Sequence, residues 1–327
     1  MKTRRFHILR WLCLVSACVG SFISLRAQLQ FAGIQRLTNK EVALTLTAPT
    51  NSSYRIYSAT NLQEWNGLVT FPTNATITLQ HTDSAAPFLG ARFYRAAQLT
   101  GSNIVAGDHL VTTNGDVIIQ PLNHATFVMQ WNGKMIYNDP TSAATYTGLP
   151  KADLILISHN HGDHFSTAAI DAVRGANARI IVSQTAYDSL TAAQKAIAIV
   201  RGYGTSTNVM GLNVQAVYAF NSNHSPLGFG NGYVLTIADK RIYISGDTGN
   251  APEIRALTNM DVAFLCMNIP FTMTAAEATN AIRAMRPKVV YPYHYRDSPS
   301  NATTNAATFK KWLGTDLGIE VRLRKWY

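Results

Sequence analysis

The residues best suited to chemistry in this 327-residue sequence are three histidines and an aspartate in one short segment. Residues 158–164 read Ser-His-Asn-His-Gly-Asp-His and supply the candidate ligands His159, His161, Asp163 and His164. The apolar run at 154–157 predicts a strand and the residues after 165 predict a helix, so the segment belongs on a loop at the carboxyl end of a strand. Imidazoles and a carboxylate at this spacing suit a divalent transition metal.

Three later residues extend the candidate site. His224, Asp247 and His294 each come shortly after a predicted strand, at 212–219, 241–245 and 288–293. Taken singly, each also fits an ordinary structural role, as a turn aspartate or a hydrogen-bonded buried histidine. Together with the first segment they make seven candidate ligands, enough for two metals with open coordination positions.

The elements that must position these residues alternate between strand and helix from about residue 101 onward. This pattern is typical of an α/β domain with sheets inside and helices outside. The helix predicted at 274–285 begins with Thr274 and Glu277 at capping-box spacing and ends before Pro287. The other helices are predicted at 166–173, 185–199, 251–257 and 305–313.

Residues 28–100 have a different sequence pattern, in which short runs of apolar or alternating apolar and polar residues are separated by turn residues. Strands are predicted at 42–46, 54–57, 75–79 and 92–95, and turns at 49–51, at Asn66-Gly67 and at 72–74. This spacing indicates a small antiparallel β-sandwich. The segment resembles a small β-module often attached to secreted bacterial proteins, which implies a passive spacer or docking role.

The first 27 residues account for half of the net charge. The whole chain has a formal charge of +10, but residues 1–27 carry five basic residues and no acidic ones. A basic start, an apolar run too short to span a bilayer and a small residue at Ala27 are typical of a secretory signal peptide. Without it the charge is +5 and no basic stripe remains, so a nucleic-acid partner is not expected. The expected location is periplasmic or extracellular.

Cysteine placement leaves one alternative for this location. Cys18 follows Val-Ser-Ala, a pattern that also fits a lipoprotein cleavage site with acylation of that cysteine. Cleavage after Ala27 would instead leave Cys266 as the single cysteine and exclude an intrachain disulfide. The apolar run around Cys266 predicts a buried strand and an inert thiol.

The order and context of the metal motifs resemble the metallo-β-lactamase superfamily over nearly all of residues 101–327. Three further stretches resemble its ascorbate-6-phosphate lactonase-like and N-acylphosphatidylethanolamine phospholipase D-like branch. They read NHATFVMQWNGKMIYNDP, HSPLGFGNGYVLTIADKRIYISGDTGN and PFTMTAAEATNAIRAMRPKVVYPYHY. The resemblance implies an αβ/βα sandwich with the metals at one edge between two sheets, preceded here by the small all-β domain.

The resemblance also implies how the seven candidates divide between two divalent ions, expected to be Zn²⁺, with Mn²⁺ or Fe as alternatives. One ion would be held by His159, His161 and His224, the other by Asp163, His164 and His294, with Asp247 bridging them. A hydroxide between two such cations forms near neutral pH, and the cations polarise the scissile bond. Asp163 would orient the attacking water or accept its proton.

Two further residues in the family motifs are candidates for contacts beyond direct ligation. His124 lies in the NHATF motif, where Asn123 replaces the family's usual glycine, and is either a structural histidine or a residue facing the ligands or the substrate. Asp139 ends the predicted strand at 135–138, and a turn or ligand-supporting role is expected for it.

The expected function is that of an exported dinuclear hydrolase acting on a lactone, ester, amide or phosphodiester bond in a small molecule. One alternative is a catalytically silent metal-binding scaffold, although none of the seven ligands is missing. The other is a di-iron oxidoreductase on the same fold, because sequence constrains ligand type better than metal identity. The oligomeric state is not predicted.

Overall fold

The computed structural model describes residues 28–73, 77–100, 104–295 and 306–327. The predicted signal peptide, with Cys13 and Cys18, therefore lies outside the described residues. The chain divides into two compact units, Met1–Asp108 and His109–Tyr327. Among the described residues no helix is both long and apolar enough to cross a bilayer.

The first unit is built from short strands, as its alternating sequence predicts. Strands β1, β2 and β5 form one antiparallel sheet, and β3 pairs with both β4 and β6. Alternate residues of β2 point into a core that includes Leu44, Leu46, Tyr54 and Ile56. The strands are β1 (Gln30–Arg36), β2 (Val42–Thr47), β3 (Ser53–Ala59), β4 (Asn66–Phe71), β5 (Thr78–Asp83) and β6 (Phe93–Leu99). Strand β7 (Gly107–Leu110) begins in the last two residues of this unit.

The turn predicted at Asn66-Gly67 is wrong, because these residues begin strand β4. Gly67 pairs with Tyr57 at a register shift between Ile56 and Tyr57. Glycine inside a strand commonly marks such an irregularity. The strand predicted at 75–79 begins at Thr78 among the described residues, since residues 74–76 lie outside them.

The part of the second unit that the structure describes contains two mixed sheets. Their strand orders are β13-β12-β11-β10-β9-β8 and β14-β15-β16-β17-β18-β19-β20. The first sheet has β8 (Val117–Asn123), β9 (Thr126–Trp131), β10 (Lys134–Asn138), β11 (Ala152–Ile157), β12 (Arg174–Val182) and β13 (Ala198–Val200). The second has β14 (Ser206–Val209), β15 (Leu212–Val217), β16 (Gly232–Ile237), β17 (Lys240–Ile244), β18 (Val262–Cys266), β19 (Val289–Tyr293) and β20 (Glu320–Val321).

The main core of the second unit joins these two sheets. Phe127 of β9 stacks on Phe264 of β18 with ring centroids 4.2 Å apart, and Phe264 stacks in turn on Tyr291 of β19. The same buried cluster includes Ile282 and Phe309 from the helices. The α/β architecture predicted from the alternation of elements is confirmed.

Within the described residues of the second unit, the α-helices are α1 (Thr167–Val173), α2 (Gln184–Asp188), α3 (Ala192–Lys195), α4 (Pro252–Arg255), α5 (Ala275–Met285) and α6 (Ala306–Leu313). The capping box of α5 forms as predicted, because Thr274 Oγ1 accepts from the Glu277 amide while Glu277 accepts from the Thr274 amide. The helix ends at Met285, and its C-cap Arg286 has a left-handed backbone immediately before Pro287.

The single helix predicted at 185–199 is wrong. The structure has two short helices there, α2 and α3, followed by strand β13. Thr191 and Gln194 form a second capping box that starts α3 separately. The β-branched residues Ile199 and Val200 then pair in parallel with β12, because branched side chains fit a strand better than a helix.

Candidate metal centre

The loop that carries the histidine cluster is held at the end of a buried central strand. Strand β11 stops at Ile157, whose carbonyl accepts a 2.6 Å hydrogen bond from the Tyr233 hydroxyl. The next carbonyl, of Ser158, accepts from the backbone amide of Asn231, the residue immediately before β16 of the other sheet. Helix α1 begins after the loop with Ser166 as its N-cap. The loop is therefore fixed on both sides and tied to the second sheet.

The first group of candidate ligands consists of His159, His161 and His224, whose ligand nitrogens lie within 4.8 Å of one another. His159 Nε2 is 3.2 Å from His161 Nδ1. His224 donates from Nδ1 to the side-chain oxygen of Asn221 at 2.9 Å, which leaves the lone pair of Nε2 facing the group. The ring of Phe229 contacts all three imidazoles, at centroid distances of 5.1 to 6.0 Å.

The second group consists of Asp163, His164 and His294, together with His124. Asp163 Oδ2 lies 3.3 Å from His294 Nε2, 3.1 Å from His124 Nε2 and 3.8 Å from His164 Nε2. The three imidazoles are buried, whereas the Asp163 side chain is 48% exposed. Asp163 is thus the member of this group that solvent reaches.

Asp247 lies between the two groups. Its Oδ1 is 3.2 Å from His164 Nε2 and 3.4 Å from His294 Nε2. Its Oδ2 is 3.3 Å from His224 Nε2 and 4.0 Å from His159 Nε2. One carboxylate oxygen therefore faces each group, an arrangement suited to bridging two cations.

Asp139 is buried next to the histidine loop and contacts Ser158 and His164. Its Oδ1 accepts from the Ser158 amide at 2.7 Å, and its Oδ2 accepts from the Ser158 hydroxyl at 2.8 Å and from His164 Nδ1 at 2.9 Å. Because Nδ1 of His164 donates to Asp139, Nε2 of that ring is left to face the centre. Asp139 thus orients a candidate ligand without being one of the clustered donors.

Three residues around the centre adopt left-handed backbone conformations. The φ angles are +52° at His124, +42° at Asp139 and +46° at His294. Aspartate and histidine tolerate this region better than most residues, yet it is uncommon outside glycine. Such conformations persist where surrounding contacts enforce them, and they concentrate at functional sites.

The histidines of the centre lower the pKa of both carboxyl groups, Asp163 and Asp247, and so keep them ionised. Burial opposes ionisation of Asp247, but the imidazoles of His294 and His164 hold its pKa well below the usual range. Burial also raises the pKa of Asp163, and hydrogen bonds from His124 and His294 outweigh this and lower it. Burial lowers the pKa of His159 well below its ordinary value, so its ring is a neutral donor.

His164 has the opposite shift from His159. Burial alone would lower the pKa of its imidazole, but the carboxylates of Asp247 and Asp139 raise it well above the ordinary value. A cation held by the same donors would replace that proton as the partner of Asp247. The carboxylates around His164 thus favour positive charge at the position where a metal would lie.

The donor set fits a pair of divalent metals. Nε2 of His164, Nε2 of His224 and Oδ1 of Asp247 are buried and have no hydrogen-bond partner in suitable geometry among the described residues. Buried polar atoms are rarely left in this state, and metal coordination is one way to satisfy them. Imidazole nitrogen and carboxylate oxygen suit zinc, manganese and iron.

The structure brings all seven predicted ligands into one centre, together with His124. Sequence reasoning did not find four supporting residues: Ser158, Asn221, Phe229 and Tyr327. Asn221 precedes His224 by three residues, a spacing that could have suggested the contact. Cys266 is buried in β18, and burial raises the pKa of its thiol to about 12, in agreement with the predicted inert role.

The sequence of the second unit matches a family model described as a beta-lactamase superfamily domain over residues 118–294. That range contains every candidate ligand named above. The chain belongs to the metallo-β-lactamase superfamily.

Relatives named UPF0173 metal-dependent hydrolase place the chain near one set of superfamily members. The protein of that name from Pelotomaculum thermopropionicum is 29% identical over 218 residues, 62% of this chain and 94% of the relative. The one from Thermus thermophilus is 32% identical over 196 residues, 56% of this chain and 85% of the relative. The chain therefore belongs among the metal-dependent hydrolases of the superfamily.

Solved structures agree with this assignment. A crystal structure described as a metal-dependent hydrolase from Parabacteroides distasonis is 35% identical, with a TM-score of 0.61 over 68% of this chain and 99% of the other. The diiron β-hydroxylase CmlA from Streptomyces venezuelae shares the fold at 16% identity, with a TM-score of 0.52 over 66% of this chain and 54% of the other.

Proposed function

We propose that this metallo-β-lactamase superfamily member is a dinuclear hydrolase that uses an activated water on a small-molecule substrate. The observation that carries the proposal is the position of Asp247, with one carboxylate oxygen facing each group of ligands. His159, His161 and His224 would hold one ion. Asp163, His164 and His294 would hold the other.

Two divalent cations in this centre would lower the pKa of a bound water toward neutrality and polarise the bond to be cleaved. The protein's own side chains would hold the ligands in position. Asp139 orients His164, Asn221 orients His224, and the ring of Phe229 packs against the first group of imidazoles, of which His161 is exposed. His164 and His224 would thus enter the reaction already positioned, which reduces the reorganisation needed at the transition state.

Asp163 is the residue best placed to handle a proton. Its side chain is 48% exposed, in contrast to the buried Asp247, so an entering water can reach it. Its Oδ2 already accepts hydrogen bonds from His124 and His294, and the other oxygen remains available to the water. We assign Asp163 the role of orienting the attacking water and accepting its proton.

The proposed substrates are those whose cleavage needs one activated water and no protein nucleophile: a lactone, ester, amide or phosphodiester. Resemblance to the lactonase-like and phospholipase D-like branch favours the lactone and the phosphodiester. The ring of Phe229 over His161 and His224 supports a substrate with an apolar portion beside the first metal.

Metal content and a substrate screen test the proposal. Purified protein, loaded in parallel with Zn²⁺ and with Mn²⁺, is tested against lactone, ester, amide, phosphodiester and β-lactam panels after elemental analysis. We expect about two metal equivalents per chain and hydrolysis in one panel. Loaded protein that binds two metals but hydrolyses nothing would favour the scaffold. Two irons with oxygen consumption would favour the oxidoreductase.

A matched pair of histidine variants separates the centre from nonspecific metal binding. His224→Ala removes a ligand of the first group, whereas His81→Ala changes a histidine in strand β5 of the other unit. We expect the first variant to lose one metal equivalent and the second to keep both. Equal metal content in the two variants would contradict the assignment.

We also propose that the protein is exported, on the basis of residues 1–27. The mature amino terminus should then be Gln28. Mass spectrometry of the protein recovered from its native cell measures this directly. A chain acylated at Cys18 would replace the proposal with a membrane-anchored location, and an intact Met1 would contradict export.

A further inference from the structure

Trp326 and Tyr327 bring the last residues of the sequence to the metal centre. The Trp326 side chain is fully buried and packs edge-on against Phe127 and obliquely against Tyr293, at centroid distances of 6.0 and 5.7 Å. Its backbone carbonyl accepts a 3.0 Å hydrogen bond from the His124 amide. Tyr327 is therefore anchored by its neighbour and not placed by its own side chain alone.

The Tyr327 hydroxyl lies 2.8 Å from His124 Nδ1, and Nε2 of the same ring lies 3.1 Å from Asp163 Oδ2. The Tyr327 ring also contacts the rings of His124 and Tyr295, at 5.8 and 5.4 Å. His124 itself packs against His294, with ring centroids 3.8 Å apart. A continuous chain of hydrogen bonds thus joins Tyr327 to the carboxylate assigned to water activation.

The chemistry of the three groups fixes the direction of these bonds. An ionised carboxylate only accepts hydrogen bonds, so Nε2 of His124 must carry the proton that faces Asp163. A neutral imidazole has one proton, so Nδ1 then carries a lone pair. The Tyr327 hydroxyl can donate to that lone pair and so stabilises this tautomer.

We infer that Tyr327 is a positioning residue, which holds His124 with its proton on Nε2 so that His124 orients the Asp163 carboxylate. The inference rests on the proposed function, because it concerns the residue assigned to the attacking water. His124 is then a donor to Asp163 and not an eighth ligand, although its Nε2 lies within the second group of candidate ligands.

The opposite arrangement makes a different prediction. If His124 bound a cation through Nε2, its proton would lie on Nδ1 and the Tyr327 hydroxyl would accept it. Removing the hydroxyl would then leave the metal bond in place. Replacing His124 would then cost a metal equivalent. If His124 only donates a hydrogen bond to Asp163, the same replacement leaves both metals bound.

The test uses Tyr327→Phe, which keeps the ring and removes the hydroxyl. Its matched control is Tyr295→Phe, which removes a hydroxyl from the ring that contacts Tyr327. The tautomer of His124 is measured by long-range ¹H–¹⁵N correlation spectra of the full chain, with His124→Gln used to assign the signal. Metal equivalents, kcat and KM are measured on the same samples.

We expect His124 in the unsubstituted protein to carry its proton on Nε2, and we expect Tyr327→Phe to weaken that preference, which Asp163 alone then maintains, while keeping two metals. Residues that support metal ligands typically contribute about 10-fold to 100-fold, and we expect kcat to fall about 10-fold with little change in KM. Tyr295→Phe should match the unsubstituted protein in all four measurements.

Three results would overturn the inference: a proton on Nδ1 in the unsubstituted protein, an unchanged tautomer and kcat in Tyr327→Phe, or a metal equivalent lost in His124→Gln. Failure of the proposed function is distinguishable, because it would appear as missing metal or missing hydrolysis in the unsubstituted protein. The tautomer can be measured in either case.

Discussion

Asp139 Oδ2 lies 2.9 Å from Nδ1 of His164, and both side chains are fully buried. The same carboxylate accepts two hydrogen bonds from Ser158, the residue that opens the histidine loop. One buried carboxyl side chain therefore fixes the loop backbone and the orientation of a candidate metal ligand together. Its removal should affect the metal centre more than an ordinary buried polar contact would.

Asp139→Asn tests this coupling. The amide cannot accept from His164 and Ser158 through both atoms, so the orientation of the His164 ring is no longer enforced. We expect metal affinity to fall about 10-fold to 100-fold, measured by competition with a chromophoric chelator. Asp153→Asn is the control, because Asp153 accepts from the Met135 amide at the opposite end of strand β11. Equal affinities in the two variants would contradict the prediction.

Asp247→Ala should remove both metals, because Asp247 faces both groups of ligands. We expect hydrolysis to fall by more than about 1,000-fold, which corresponds to several kcal/mol of lost transition-state stabilisation. Elemental analysis and initial rates check the two parts separately. Asp171→Ala, on the exposed side of helix α1, should keep both metals. A variant at Asp247 with one metal and measurable activity would show that this residue does not bridge.

Gly246 is the glycine on which the position of Asp247 depends. Its φ is +57°, and a Cβ there would lie 2.6 Å from the Asn231 carbonyl oxygen. We expect Gly246→Ala to destabilise the protein by about 1–3 kcal/mol and to weaken metal binding. Gly162→Ala, in the histidine loop itself, has nothing within 4 Å of the added carbon. Thermal unfolding should therefore show a lower melting temperature for Gly246→Ala than for Gly162→Ala. Equal melting temperatures would contradict the prediction.

The pH dependence of Cys266 reactivity follows from its burial. Burial, with a smaller contribution from Asp247, raises the pKa of the thiol to about 12, so the reactive thiolate stays scarce as the pH rises through 7 and 9. We expect no alkylation of Cys266 by iodoacetamide over that range in the folded protein, and rapid alkylation in guanidinium. Mass spectrometry of the peptide containing Cys266 measures this. Alkylation of the folded protein at pH 8 would contradict the assigned burial.

The convergence of the candidate ligands could be predicted because each one lies after a strand. The carboxyl ends of parallel strands in one sheet meet at the same edge, so Asp247 and His294 converge at the ends of β17 and β19, and His159 faces them from the end of β11 in the other sheet. The histidine spacing in residues 159–164 then identifies the chemistry. Both signals are local in sequence, and local signals are the ones a single sequence reveals.

The contacts that tune the centre were not predictable on the same basis. His124 and Tyr327 are 203 positions apart, and no periodicity or motif links them. The helix predicted at 185–199 failed for a related reason. Its composition favours a helix locally, but pairing of β13 with β12 outweighs that preference. Long-range contacts decided both outcomes.

The backbone hydrogen bond between His294 and His124 has a consequence for the order of events in the cell. It joins His124 to a residue 170 positions later in the sequence, and His294 is itself a candidate ligand of the second group. During synthesis the ribosome produces His124, His159 and His161 long before His294 exists. In the proposed dinuclear centre, the second group of ligands would therefore be complete only after translation has passed that residue, so the second ion would be captured after the first group's loop has been made.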